Sequence, residues 1–134
     1  MESVMTRVDF QRIAEIRLKD AEVLFEQGQY QGAYYLAGYV IECALKACIA
    51  KKTKEHDFPP PQSIVKKIYT HNLDNLLNAS SLRITENMLI NWTLIKEWNE
   101  SIRYEEPDEK KAKDIYAAIT DPEEGVFQWI KQHW

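Results

Sequence analysis

Three side chains of this chain have the chemistry to hold a small polar ligand or move its protons: Glu42, His71 and Arg103. An arginine guanidinium is a planar fork that braces a phosphate with two bonds, and a histidine gains or loses a proton near neutrality. If the three converge, they form a polar pocket where Arg103 meets a phosphate and His71 donates or accepts a proton. Glu42 is the unusual member, because it interrupts a run that is otherwise nearly all apolar. Lys46 follows it one helical turn on. A buried acid must find a partner or stay neutral. The reading that assumes least therefore pairs Glu42 with Lys46, or with Arg103 as an internal ion pair, and it is preferred here to an open ligand site.

The element that must position Glu42 is the run from Tyr30 to Lys52. Tyr30, Ala33, Tyr34, Ala37, Val40, Ile41, Ala44, Leu45 and Cys48 keep the spacing of one helical face. The opposite side, with Tyr35, Leu36, Gly38, Tyr39, Cys43 and Ala47, is also poor in charge. A helix apolar most of the way round must be surrounded by other helices or by a partner subunit. Glu42, Lys46 and the tyrosine-rich, glycine-containing composition speak against a membrane span. Gly38 weakens a helix but permits close approach of another backbone, so a helix crossing is expected there, within or between subunits.

The remaining elements read as helices. Residues 9–27 carry an inner stripe of Phe10, Ile13, Ala14, Ala21, Leu24 and Phe25, with Glu15 and Lys19 spaced for an outer ion pair. Gly28 is a helix stop, so this helix and the central one form a tight antiparallel hairpin. Residues 58–61, with three prolines, form a loop, followed by short helices over residues 62–69 and 72–77. A third long helix is expected over residues 85–103, with Met88, Leu89, Trp92, Ile95 and Ile102 inside and Leu94 and Trp98 widening the buried face. Pro107 and Asp108 start a fourth, and Thr120, Asp121 and Pro122 break it before a last helix near Trp134. Phe127, Trp129, Ile130 and Trp134 are read as docking on the bundle. The fold class is all-α: one domain over residues 1–134, an antiparallel up-and-down bundle of four main helices with short accessories.

Composition narrows the function. With 134 residues, 45% hydrophobic and 28% charged, the chain suits one globular domain with a real core. A net charge of −4 weighs against sequence-independent nucleic-acid binding, which needs concentrated positive charge. Lys51, Lys52, Lys54, Lys66 and Lys67 flank the proline loop, and solvated, helix-capping roles are the default for them. Cys43 and Cys48 are expected to be reduced core residues of a cytoplasmic protein. His56, His71 and His133 are scattered, so no metal-ligand spacing appears, and no Gly-rich phosphate loop or cofactor motif is present. Tyr34, Tyr35, Tyr39, Trp92, Trp98 and Tyr104 have faces on which bases stack, but aromatics at helical spacing are more often core or interface.

The segment Gly32-Ala33-Tyr34-Tyr35-Leu36-Ala37-Gly38-Tyr39-Val40-Ile41-Glu42-Cys43-Ala44-Leu45-Lys46-Ala47 resembles a HEPN domain. Arg17-Leu18-Lys19-Asp20-Ala21 precedes it in the first helix, and His71-Asn72-Leu73 resembles the family's His-x-Leu turn. Arg103-Tyr104 resembles the Arg-Tyr that closes its third long helix. The resemblance covers nearly the whole chain. It implies a helical bundle that dimerises and works near nucleotides or RNA. Many members are metal-independent ribonucleases with an Arg-x(4–6)-His motif late in the domain. Others are non-catalytic modules paired with small nucleotidyltransferases in bacterial toxin–antitoxin or defence loci.

The chain departs from the catalytic pattern. Arg7, Arg12, Arg17, Arg83 and Arg103 are its only arginines, and none has a histidine five to seven positions downstream. Lys66 lies five residues before His71, but in the wrong part of the chain and without the guanidinium fork. Metal-independent RNA cleavage needs a histidine for the 2′-hydroxyl proton and a cation for the charged phosphorane. No catalytic residues are therefore assigned. The expectation is a prokaryotic, cytoplasmic binding and interaction module without cofactor or metal. It would form a homodimer, with a nucleotidyltransferase-type partner and a nucleotide or RNA phosphate near Arg103, His71, Glu42, Lys46 and Tyr104. The alternatives are a ribonuclease with a non-standard active site and a purely structural dimer.

Overall fold

The computed structural model describes residues 5–56 and 70–134, with residues 53–56 and 103 described by backbone alone. The proline loop and the short helix expected over residues 62–69 lie outside the described residues.

Helix α1 (Arg7–Glu26) begins where Thr6 and Asp9 satisfy each other's backbone. The Asp9 N–H donates to Thr6 Oγ1 at 3.2 Å, and the Thr6 N–H donates to the Asp9 carboxylate at 2.9 Å. It ends at Gly28, whose φ of +77° lies in the left-handed region that favours glycine. There the Gly28 N–H bonds the Phe25 carbonyl at 3.1 Å and the Gln29 N–H bonds the Leu24 carbonyl at 2.8 Å, which closes the helix end and turns the chain back. Helix α2 (Tyr30–His56) starts at once, and the two pack as the expected hairpin.

Helix α2 is the centre of the bundle. It touches α1, α3 (Leu73–Ser80), α5 (Glu109–Thr120), α6 (Val126–Lys131) and a 3-10 turn (Glu100–Tyr104). Val40, Ile41, Ala44, Leu45 and Ala47 are shut away from water around almost its whole girth. By length and composition Tyr30–Lys52 would suit a membrane crossing, and 72% of its most apolar window is buried inside the bundle, which accounts for that composition. Among the described residues there is no strand, so the fold is an all-α bundle.

The third long helix is where sequence and structure part. Residues 85–103 divide into a 3-10 turn (Glu86–Met88), helix α4 (Leu89–Lys96), an irregular step, and the 3-10 turn Glu100–Tyr104. Asn99 causes the step: its backbone is extended, and its side chain caps the next turn by accepting from the Ser101 N–H at 2.9 Å. Met88, Trp92, Ile95, Trp98 and Ile102 stay inside as expected, but Leu89 and Leu94 face water. The N-terminal cap at Asp108 and the break after Thr120 occur where the sequence placed them. The C-terminal aromatics do dock: Phe127 and Ile130 are buried, and Trp129 and Trp134 pack against the core. That docking redirects Glu15, which was expected to pair with Lys19. Its carboxylate instead lies 2.9 Å from Lys131, whose ammonium is held over the rings of Phe127 and Trp134.

Cys43 and Cys48 are free and buried, and burial pushes both thiols from the ordinary 9.0 up to about 11. Between pH 9 and pH 11 the folded chain keeps protons that the unfolded chain has released, so stability falls as pH rises through that window. Urea midpoints at pH 7.5 and pH 10.5 check this, with the lower midpoint expected at pH 10.5. A Cys43→Ala/Cys48→Ala variant should show a shallower loss.

Candidate functional site

The site is built on the outer edge of α2. Glu42 is 3% exposed and carries two partners. Lys46 Nζ lies 3.2 Å from Oε2, and His71 Nδ1 lies 2.7 Å from Oε1. The first contact is the one-turn pairing expected from sequence. The second comes from a residue 29 positions away, brought in by the start of α3. There the Asn72 side chain accepts from the Asn75 N–H at 2.9 Å and the Thr70 hydroxyl accepts from the Asn72 N–H at 3.1 Å. The N-cap thus fixes the backbone on which His71 sits. Its ring meets the Tyr39 ring edge-on, with centroids 6.0 Å apart.

His71 is half exposed, and its second nitrogen, Nε2, faces outward, 3.4 Å from Oε2 of Glu100. Glu100 begins the 3-10 turn that also carries Arg103 and Tyr104. Buried Ile102 anchors that turn. The Arg103 side chain lies outside the described residues, and Tyr104 is 78% exposed. Of the residues singled out from sequence, Glu42, Lys46 and His71 therefore meet. Tyr104 stands on the neighbouring turn.

Glu100 was not foreseen. On the continuous helix expected over residues 85–103, an acid beside Asn99 and Ser101 reads as a solvated surface charge. Only the step at Asn99 aims it at His71.

Behind the site stands an aromatic wall. The Trp98 indole N–H donates to the Tyr35 carbonyl at 3.1 Å, and its rings lie so close over Gly38 that a Cβ there would come within 2.1 Å of them. Gly38 thus receives an indole from the same chain, where a helix crossing was expected. Tyr35 and Tyr39 share a hydroxyl–hydroxyl hydrogen bond at 3.1 Å. Burial first, then the Tyr35 hydrogen bond and the charges of Glu42 and Glu100, raise the Tyr39 phenol well above its usual range. At neutral pH it is a hydroxyl, with no role as a base.

What this arrangement does chemically follows from the pair at its centre. A carboxylate that holds one imidazole nitrogen fixes the ring and its tautomer, and leaves the other nitrogen to meet a ligand. With a proton on Nε2, His71 can donate to an anion at the domain surface. Among the described residues no three His, Cys, Asp or Glu side chains are placed to hold a metal ion. An open hollow lined by Glu105, Glu106, Pro107, Asp108 and Lys111 includes none of the site residues.

Compared with known proteins, residues 8–133 match a family model described as HEPN domain. No curated protein and no solved structure matches the chain.

Proposed function

The chain belongs to the HEPN domain family, and on that premise we propose that it is a binding and interaction module that holds a nucleotide or RNA phosphate at the exposed edge of His71. The family is associated with nucleotide- and RNA-related function. The observation that carries the reading is the 2.7 Å contact between His71 Nδ1 and buried Glu42. It commits one nitrogen to Glu42 and leaves the other, when it carries a proton, to donate to a phosphate oxygen. Lys46 offsets the Glu42 charge from the inside, which lowers the repulsion an incoming anion meets. Arg103 belongs to the adjacent 3-10 turn and is, in this reading, the second phosphate contact.

The assembly part of the proposal is a cytoplasmic homodimer that works with a nucleotidyltransferase-type protein. Val8, Ile16 and Val23 along the outer side of α1, and Leu89 and Ile90 on α4, are large apolar side chains left in water, and they support contact with other chains. A second reading, a metal-independent ribonuclease, draws on the same carboxylate–imidazole pair, which could relay a 2′-hydroxyl proton through Nε2. The missing Arg-x(4–6)-His motif places it second.

Thermal melts test the binding reading. Uridine hexanucleotide or 5′-AMP at ten times its Kd should stabilise the wild-type domain by about 1.4 kcal/mol, and His71→Gln should lose that gain, measured against its own unliganded melt. RNA cleaved by wild type and spared by His71→Gln would instead make the domain a nuclease.

A further inference from the structure

We propose that Glu100 is a built-in occupant of the anion position on His71, so that a phosphate binds by displacing a carboxylate of the same chain. This rests on the reading of His71 as the phosphate-holding group. The two carboxylates that flank the ring are held in opposite ways. Glu42 is 3% exposed, makes its contact to Nδ1 at 2.7 Å, and is held again by Lys46 at 3.2 Å. Glu100 is half in water, with its side chain 53% exposed, and it stands 3.4 Å from Nε2. Charge-assisted N–H···O bonds close to about 2.7–2.9 Å, so the first contact is a full hydrogen bond and the second a loose polar contact. Loose, solvated contacts exchange partners at little cost. Glu42 is the fixed support and Glu100 the exchangeable lid.

The charges facing the ring complete the picture. From α2 come Glu42, Lys46 and the Tyr39 ring edge, and from the 3-10 turn comes Glu100. An imidazole donates from both nitrogens only when it carries two protons, so Nε2 offers a donor to an anion only in that form. The inner donor is already taken. A phosphate has more charge and more oxygens than a carboxylate, and it competes for the outer one. If Glu100 stayed in place, it would repel that phosphate at close range. The resident carboxylate therefore sets a threshold: it weakens phosphate binding and leaves His71 partnered when no ligand is bound.

Three proteins are compared, wild type, Glu100→Gln and His71→Gln, each titrated with inorganic phosphate, 5′-AMP and a uridine hexanucleotide by calorimetry at pH 6.5. Glutamine keeps the shape of Glu100 and removes its charge, and the exposed position leaves folding intact, which an unliganded melt verifies. Glu100→Gln should bind about tenfold more tightly than wild type, and His71→Gln should bind least. Whichever of 5′-AMP and the hexanucleotide exceeds inorganic phosphate identifies a free nucleotide or an RNA strand as the source of the phosphate. Equal affinities for wild type and Glu100→Gln would overturn the displacement while leaving His71 as the binding group. No binding by either protein would overturn both.

Discussion

Truncating Trp98 to alanine should remove about 3–5 kcal/mol of stability, a large share of what a domain of this size has. The indole is 1% exposed, donates its N–H to the Tyr35 carbonyl, and fills the notch at Gly38. Its loss leaves a cavity lined by α2 that α4 cannot collapse into, because the step at Asn99 is fixed by its own side-chain cap. The same contact can be attacked from the other side. A methyl added at Gly38 would sit within 2.1 Å of the indole, so Gly38→Ala should cost about 1–3 kcal/mol by overpacking. The double substitution gives the sharper result. With the indole gone, the atoms nearest an added methyl at Gly38 are removed and the residue gains helix propensity, so Gly38→Ala should be neutral or stabilising in the Trp98→Ala background. Urea unfolding of the four proteins measures this coupling. Additive losses would mean that the ring and the notch act independently.

Glu42→Ala is the second large effect, expected to destabilise by about 3 kcal/mol. It leaves the Lys46 ammonium, with a side chain only 12% exposed, without its carboxylate and frees the inner nitrogen of His71. The cost belongs to the stranded charge more than to the lost attraction. Replacing both members, Glu42→Leu with Lys46→Leu, should therefore recover most of the stability, since well-packed apolar residues often match a buried ion pair. The recovered protein should still bind phosphate poorly, because His71 has lost the anchor that orients Nε2. Chemical denaturation reads the first half of that result and phosphate titration the second. A double variant that regains both stability and binding would show that Glu42 does nothing for His71.

Much of the scaffold was legible because local chemistry decides it. Gly28 stops α1 through a backbone conformation that glycine alone enters cheaply, and Asp108 caps α5 with its own side chain. Residues 33–48 of α2 are largely buried because none of them, apart from Glu42 and Lys46, carries a charge. The third long helix was not legible in the same way. The buried set Met88, Trp92, Ile95, Trp98 and Ile102 keeps helical spacing across a backbone that is not continuous helix, so periodicity alone runs straight through Asn99. The Asn99 side-chain cap and the packing of Trp98 against Gly38 hold the step there, and neither shows in the periodicity.

The site divides along the same line. Glu42 with Lys46 is a one-turn pair and visible in the spacing. His71 lies 29 residues from Glu42, and only the family resemblance brought it to notice. Glu100 depends on the step at Asn99, so whatever hid the step hid the acid. The Glu15 pairing failed for a similar reason: a cation from α6, already seated on two aromatic rings, reached the carboxylate in place of Lys19.

The outward nitrogen of His71 is the point on which the functional reading turns, and its ring can be observed directly by nitrogen–proton correlation spectra of the imidazole. On addition of 5′-AMP at pH 6.5, the Nε2 signal should move and saturate while Nδ1, held by Glu42, stays nearly still. A ring whose two nitrogens both ignore millimolar nucleotide and RNA, or whose Nδ1 moves as far as Nε2, would contradict a fixed imidazole offering one edge to a phosphate.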